Sequence, residues 1–370
     1  MNIALITRHA VFIYGSLLQT IATARSIEAL GHRCQVIDYC REDEDYRRIA
    51  DVLLKKNPRW NQNLLKRTVY KAIQSPKFYL MGKHFDRLRK GVVTLTDHYS
   101  SLEQLRQNKP AADIYMTGSD QVWGPIGGDA FDPAYFLGFT AEEDRRVSYA
   151  ASFGKAELSQ ELLQRLTPLL AAYETVTVRE RSARDVISGM GLPVRQVLDP
   201  TLLLTKGDWE EMIHDRFPER YILVYQLHSN EQMLRYAYAM AEKTGLPLVT
   251  MSSTAQHLAK KGSRHVFLPT LSQWMGYIHD AAFMITDSFH GTAFAINFGT
   301  QFVNILPEGT ATRNQSILEL TGLTDRVVRD YADFSHFDKP IDFTAVDAVI
   351  AENREASRKI LADMLCEERS

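Results

Sequence analysis

The stretch FMITDSFHGTAFAINFG, residues 283–299, sets an apolar run (Phe283, Met284, Ile285) directly before a polar turn holding Asp287, Ser288 and His290. A helix-like run then starts at Gly291-Thr292 and ends at Gly299. Short apolar runs suit strands covered on both faces, as in parallel sheets, and helices commonly stop at glycine. In open α/β sheets the residues after a strand's carboxyl end border the ligand crevice. The free N–H groups and positive dipole end of the following helix favour an anion there. His290, whose ordinary pKa lies near working pH, suits general acid or base chemistry at that edge. The structural alternative is a helix capped by Ser288, with His290 satisfied by a backbone carbonyl.

The same strand-to-helix alternation extends outward in both directions. Upstream within the second half, YILVYQLH, PLVTMS and HVFLPT read as strands, with a helix over EQMLRYAYAMAEKTG and another through SQWMGYIHDA; QFVNIL closes the series. In the first half, NIALIT and Cys34–Tyr39 flank a helix from Leu17 to Leu30, and ADIYMTGSD, RRVSYAASFG, TVTVRE and VRQVLDP follow as strands, with helical stretches around 159–173 and 180–190. Two successive sets predict an α/β protein of two doubly wound, Rossmann-like domains facing a cleft. The expected division is 1–203 as the N-terminal α/β domain with a basic aromatic insert at 55–90, 204–340 as the C-terminal α/β domain, and 341–370 as a C-terminal helix. Asp199-Pro-Thr201 marks the boundary, because the residue before proline is pushed out of helical geometry.

Composition narrows the class. The 370 residues are 45% hydrophobic and 24% charged, which excludes a disordered chain, and no apolar run approaches the ~20 residues of a membrane span. The start, MNIALITRHAVFIYG, does not read as a signal peptide. Three cysteines without a C-x-x-C pair predict neither a disulfide framework nor a zinc ribbon, so a cytoplasmic setting is expected. The net charge of −2 is unevenly spread. Lys55 to Lys90 holds eleven Lys or Arg against Asp86 alone, a surplus of ten that leaves −12 on the remainder. Trp60, Tyr70, Phe78, Tyr79 and Phe85 interleave with these charges. The 55–90 block therefore reads either as a solvated helical face or as a surface for an anionic membrane or lipid diphosphate; no nucleic-acid module is recognisable.

Other strand ends offer candidate chemistry. Ser119, Asp120 and Gln121 can meet sugar hydroxyls, and Trp123 can stack on a sugar face; the alternative is an Asx turn with a packed tryptophan. Arg179 ends a strand, where it can hold a phosphate or carboxylate, or serve in a salt bridge with Glu180 or between domains. Arg313 follows a Gly/Thr-rich loop. Tyr14-Gly15-Ser16 lies in the turn after the first strand, yet no G-x-G-x-x-G, G-x-x-x-x-G-K-[ST], H-E-x-x-H or G-x-S-x-G occurs, which removes dinucleotide, P-loop, zincin and serine-hydrolase readings.

Taken together, Tyr14–Gln19 (YGSLLQ), Gly118–Trp123 (GSDQVW), Tyr149–Gly154 (YAASFG), Val178-Arg-Glu180, Asp199-Pro-Thr201 and Thr286–Thr292 (TDSFHGT) resemble the polysaccharide pyruvyl transferase family, in the family's order and over roughly residues 1–325. The resemblance implies a glycosyltransferase-B-like domain pair that uses phosphoenolpyruvate, as co-substrate rather than cofactor, to place a pyruvyl ketal on a sugar of a surface glycan. In many members the acceptor is linked to a lipid diphosphate at the cytoplasmic membrane face, which the 55–90 block would suit. The family's histidine falls on His290 and its strand-end arginine on Arg179, the expected catalytic pair. Many relatives carry Arg-Leu-His where this chain has Ser288-Phe289-His290. Donor binding is therefore expected from Arg313 with Ser288, Gly291 and Thr292 at the helix start. Tyr14, Ser16, Ser119, Asp120, Gln121, Trp123 and Ser152 are expected on the acceptor side.

On this reading His290 moves a proton as one sugar hydroxyl adds to the central carbon, phosphate leaves, and a second hydroxyl closes the ketal. Arginine and the helix end supply the positive charge, so no metal is expected. Two alternatives stand: a sugar-nucleotide glycosyltransferase of the same architecture, and a non-catalytic glycan-binding protein.

Overall fold

The computed structural model describes residues 1–126, 129–253, 262–307 and 311–366. Among them two parallel sheets form. The first contains β1 (Asn2–Ile6), β2 (Arg33–Tyr39), β3 (Leu95–Tyr99), β4 (Ile114–Thr117), β5 (Arg145–Ala151), β6 (Thr175–Val178) and β7 (Arg195–Gln196), in the order β3-β2-β1-β4-β5-β6-β7. The second contains β8 (Ile222–Tyr225), β9 (Leu248–Ser252), β10 (Ser263–Phe267), β11 (Phe283–Thr286) and β12 (Phe302–Asn304), in the order β10-β9-β8-β11-β12. All their pairings are parallel. Strand order reverses between β1 and β4, and again between β8 and β11. These reversals are the switch points at which such sheets open a crevice.

The central strands are buried along their length: every residue of β4, β8 and β11 is inaccessible. That double-sided burial explains why their sequences run apolar rather than alternating. The fold expected from the sequence is thus observed, a doubly wound α/β pair. The edge strand β3 was not foreseen as an element, while the helix Leu64–Arg89 matches the helical alternative offered for the 55–90 block. The LTDHY of β3 exposes Asp97 and His98 between half-buried Leu95 and Thr96 and buried Tyr99, so it lacks the apolar signal of a central strand.

One apolar core joins the two halves. The helix Tyr14–Ala29 contributes Tyr14, Leu17, Leu18 and Ile21, the helix Leu64–Arg89 contributes Phe85, and the second half contributes Tyr225, Trp274 and Phe294. Tyr14 stacks on Trp274 with ring centroids 5.9 Å apart. The last helix, Phe343–Met364, returns to the first sheet: Leu361, Met364 and Leu365 pack with Ile3, Leu5 and Val147, and Leu198 N donates to Ser357 Oγ at 3.0 Å. Both sheets consequently present their carboxyl ends to one cavity between them.

Candidate active site

The cavity measures about 430 Å³ and is lined from both halves. Arg8 follows β1 and Asp120 and Gln121 follow β4, while the second half supplies His228 after β8, Ser253 after β9, and Asp287, Ser288, Phe289 and His290 after β11. Arg313 closes one wall from the first turn of the helix Thr312–Leu320. Asn314 holds that helix in place, donating from Nδ2 to the Asp287 carbonyl at 3.2 Å and to Asn304 Oδ1 at 3.3 Å. The Glu308-Gly-Thr310 part of the loop before it lies outside the described residues.

Behind the cavity sits a buried ion cluster. Arg179 Nη1 donates to Asp199 Oδ2 at 2.8 Å, with Glu180 Oε2 3.4 Å from Nε and Asp120 Oδ1 3.6 Å from Nη2. Its guanidinium carbon lies 4.6 Å from the centre of the Phe289 ring. Burial by itself disfavours this cation, but Asp199, Glu180 and Asp120 outweigh it and raise the Arg179 pKa. Burial likewise disfavours the Asp120 carboxylate, yet Arg179, His290, Arg8 and Arg313 hold its pKa well below the usual range. Asp120 Oδ2 accepts from Ser16 Oγ. Its backbone is in the left-handed region at φ 78°, a conformation costly for a non-glycine residue.

His290 stands between this cluster and the open cavity. Its Nε2 lies 3.8 Å from Asp199 Oδ2 and has no hydrogen-bond partner among the described residues. Burial pushes its pKa down to about 4; Asp199 and Asp120 oppose the shift, and Arg179 and Arg313 reinforce it. The resting imidazole is therefore neutral at neutral pH. Arg313 is the contrasting cation. Its Nε is buried without a partner among the described residues, and burial with repulsion from Arg179 pushes its pKa down to about 10. The other cavity cation, Arg8, is paired to Glu44 through Nη2 at 2.7 Å and Nε at 3.0 Å.

The structure brings together part of the expected set. Ser16, Asp120, Gln121, Ser288, His290 and Arg313 all border the cavity. Ser288 also caps the helix Phe289–Phe298, its Oγ accepting from Gly291 N at 3.1 Å. The helix therefore begins two residues earlier than the sequence suggested.

Other expected positions are corrected. Arg179 does not face the cavity as a free anion holder; its charge is taken by three carboxylates, so the salt-bridge alternative describes it. Trp123 is fully buried among Phe136, Phe153 and Tyr173, with Nε1 donating to the Tyr135 carbonyl at 3.1 Å, and cannot stack on a sugar. Tyr14 is locked in the interdomain core, its hydroxyl donating to the Pro269 carbonyl at 2.6 Å. Ser152 and Ser119 are buried and turned inward, donating to Glu180 Oε1 at 2.6 Å and Asp199 Oδ2 at 3.0 Å. Gly291 is a packing position, where a Cβ would press on Thr286, Met284 and Tyr225. Thr292 Oγ1 is consumed by the Ser288 carbonyl and Asn304.

Four participants were not singled out as site residues. Arg8 comes two residues after β1, and that strand-end position was the available signal. Asp287 accepts from Leu227 N at 2.7 Å and His228 N at 2.9 Å, tying the β8 loop to β11. Glu180 gave a local signal as the neighbour of Arg179, whereas Asp199 gave none, since its partner Arg179 comes from another strand. Among the described residues no three His, Cys, Asp or Glu side chains are grouped to hold a metal ion.

Comparison with known proteins agrees with this architecture. No curated protein matches the sequence significantly. Among solved structures, the Staphylococcus aureus MnaA–UDP co-structure superposes with a TM-score of 0.54 at 12% identity, covering 100% of this chain and 99% of that one. The UDP-GlcNAc 2-epimerase of Methanocaldococcus jannaschii superposes with a TM-score of 0.52 at 10% identity, covering 98% and 99%. At such identities the likeness establishes the glycosyltransferase-B-type fold. The model of the family Polysaccharide pyruvyl transferase matches residues 14–308, a span that begins after β1 and Arg8, includes the ends of β4, β8, β9 and β11 with His290, and stops before Arg313, and the chain belongs to that family.

Proposed function

We propose that the chain transfers the pyruvyl unit of phosphoenolpyruvate to a sugar of a surface-polysaccharide precursor carried on a lipid diphosphate, closing a cyclic ketal and releasing phosphate. The observation that carries this reading is Arg313, a half-buried cation whose buried Nε has no partner among the described residues, on the wall of the cavity that holds His290. A guanidinium nitrogen shut away from water without a partner is costly unless an anion completes it, and the group can hold a carboxylate or phosphate through paired hydrogen bonds. Phosphoenolpyruvate offers both groups.

The low pKa of His290 fits a neutral imidazole that gains its proton with the donor. A unit negative charge about 5 Å away is worth roughly 3 kcal/mol at an effective dielectric of about 20, or about two pKa units. Protonated in this way, His290 delivers its proton to the methylene carbon, which becomes the methyl group. One sugar hydroxyl forms a C–O bond to the central carbon and returns its proton to His290. The bond to phosphate breaks with its electron pair, a second hydroxyl closes the ring, and its proton leaves on phosphate. Asp199, 3.8 Å from Nε2, steadies the imidazolium, and Asp120 and Gln121 face the acceptor.

Phosphate release from phosphoenolpyruvate, measured with a lipid-linked oligosaccharide extract as acceptor, tests the reading. Acceptor-dependent release that is lost in His290→Ala is the expected result. No release, with thermal stabilisation by a nucleotide sugar, would replace it with a glycosyltransferase.

A further inference from the structure

The helix Leu64–Arg89 packs on the rest of the chain along one side, most firmly at its last third. Its last third buries Met81, Gly82 and Phe85, with Phe85 in the interdomain core and Gly82 against Tyr46. The preceding four turns present one face to solvent, with Tyr70, Gln74, Lys77 and Phe78 half-buried on the other side. Leu64 is 80% exposed, Leu65 75%, Ile73 60% and Leu80 54%, with Val69 and Tyr79 also exposed. Residues 65, 69, 73, 76 and 80 recur at spacings of four and three, so Leu65, Val69, Ile73, Pro76 and Leu80 form one stripe along one helix face. At 1.5 Å per residue that stripe is about 22 Å long.

Charge decides what can cover it. The segment 55–90 carries a surplus of ten positive charges, while the remainder carries −12. Of its basic residues, Lys71 pairs with Asp51 and Arg89 with Asp86; no other ion pair from the segment occurs among the described residues. A second copy docking through the same face would bring two strongly positive helices together. An anionic surface is instead matched twice, by apolar burial along the stripe and by the lysines beside it. This is the arrangement of a helix lying in a membrane interface. We propose that the Leu64–Leu80 face lies on an anionic lipid bilayer. Met81, next after Leu80, lines the cavity, and Phe78 stacks on Phe12, another lining residue, at 6.5 Å. The helix thus turns one face to the cleft wall and the opposite face, with the stripe, outward.

The inference goes beyond the donor chemistry, and its readout is binding, so a failed phosphate-release assay leaves it standing. Flotation of the full-length protein with phosphatidylcholine vesicles, with and without phosphatidylglycerol, tests it. Binding to the anionic vesicles alone, weakening as salt is added, is expected. Lys66→Gln with Lys77→Gln should lower the partition constant roughly thirtyfold. Leu65→Glu with Ile73→Glu should abolish binding, with melting temperature unchanged because both sites are exposed. Equal binding to both vesicles, binding to neither, or binding retained in these variants would overturn the proposal. So would an Ile73→Glu variant that splits an oligomer while wild type ignores vesicles, which would assign the face to a second copy.

Discussion

Gly15, in the first turn of the helix Tyr14–Ala29, faces the His290 ring across the domain boundary so closely that a Cβ on it would overlap Cγ and Nδ1. The constraint is steric. Gly15→Ala should displace the imidazole, cutting turnover about a hundredfold and costing roughly 1–3 kcal/mol of stability. In a His290→Ala background that stability cost should vanish. Urea unfolding of the four proteins of this cycle measures the coupling, and additive effects would show that the two residues do not meet.

His290 also makes a pH prediction. Burial, aided by Arg179 and Arg313 and opposed by Asp199 and Asp120, holds its pKa at about 4 against an ordinary 6.5. Below pH ~6.5 the unfolded chain takes a proton that the native site refuses until about pH 4. The contribution is therefore complete above the unfolded value and drains away as pH falls through that window, by at most roughly 3 kcal/mol. His290→Asn should flatten the slope of unfolding free energy against pH by nearly one proton. An unchanged slope would mean that the imidazole is already charged in the native state.

Trp123 separates structure from recognition. With its ring enclosed by Phe136, Phe153 and Tyr173, Trp123→Ala should cost about 3–5 kcal/mol. Trp123→Phe should leave KM for the acceptor unchanged. A selective rise in acceptor KM in the phenylalanine variant would restore a sugar-stacking role.

That distinction marks where the sequence stopped being informative. The parallel strands could be read because burial on both faces makes them apolar throughout, as in Phe283–Thr286. The polar turns after them could be read as a site because strand ends border the crevice. Which side chain of a turn looks outward could not. In Gly118–Trp123, Asp120 and Gln121 reach the cavity while Ser119 and Trp123 turn inward, and the left-handed backbone at Asp120 that sorts them has no sequence signature in an aspartate. Arg179 was misassigned for a related reason. Its partners Asp120 and Asp199 lie 59 and 20 residues away, and only the strand order brings them together.

The two arginines near the site should respond to substitution in opposite ways. Arg179 neutralises Asp199, Glu180 and Asp120, all buried. Removing one partner of such a cluster strands the others, so Arg179→Met should cost about 3–5 kcal/mol and lose activity through the fold. Arg313 has a buried Nε with no partner among the described residues, and burial already weakens its hold on its proton. Burial and repulsion from Arg179 outweigh the attraction of Asp120, Glu180 and Asp199 for this cation, so in Arg313→Met the melting temperature should hold or rise. KM for phosphoenolpyruvate should climb about ten- to a hundredfold, the worth of hydrogen bonds to a charged group. Thermal unfolding with and without phosphoenolpyruvate reads both effects at once: the Arg313 variant should be stable and lose the shift on donor addition. An Arg313→Met protein as unstable as Arg179→Met would make Arg313 part of the buried ion cluster, and the donor site would have to be sought elsewhere in the cavity.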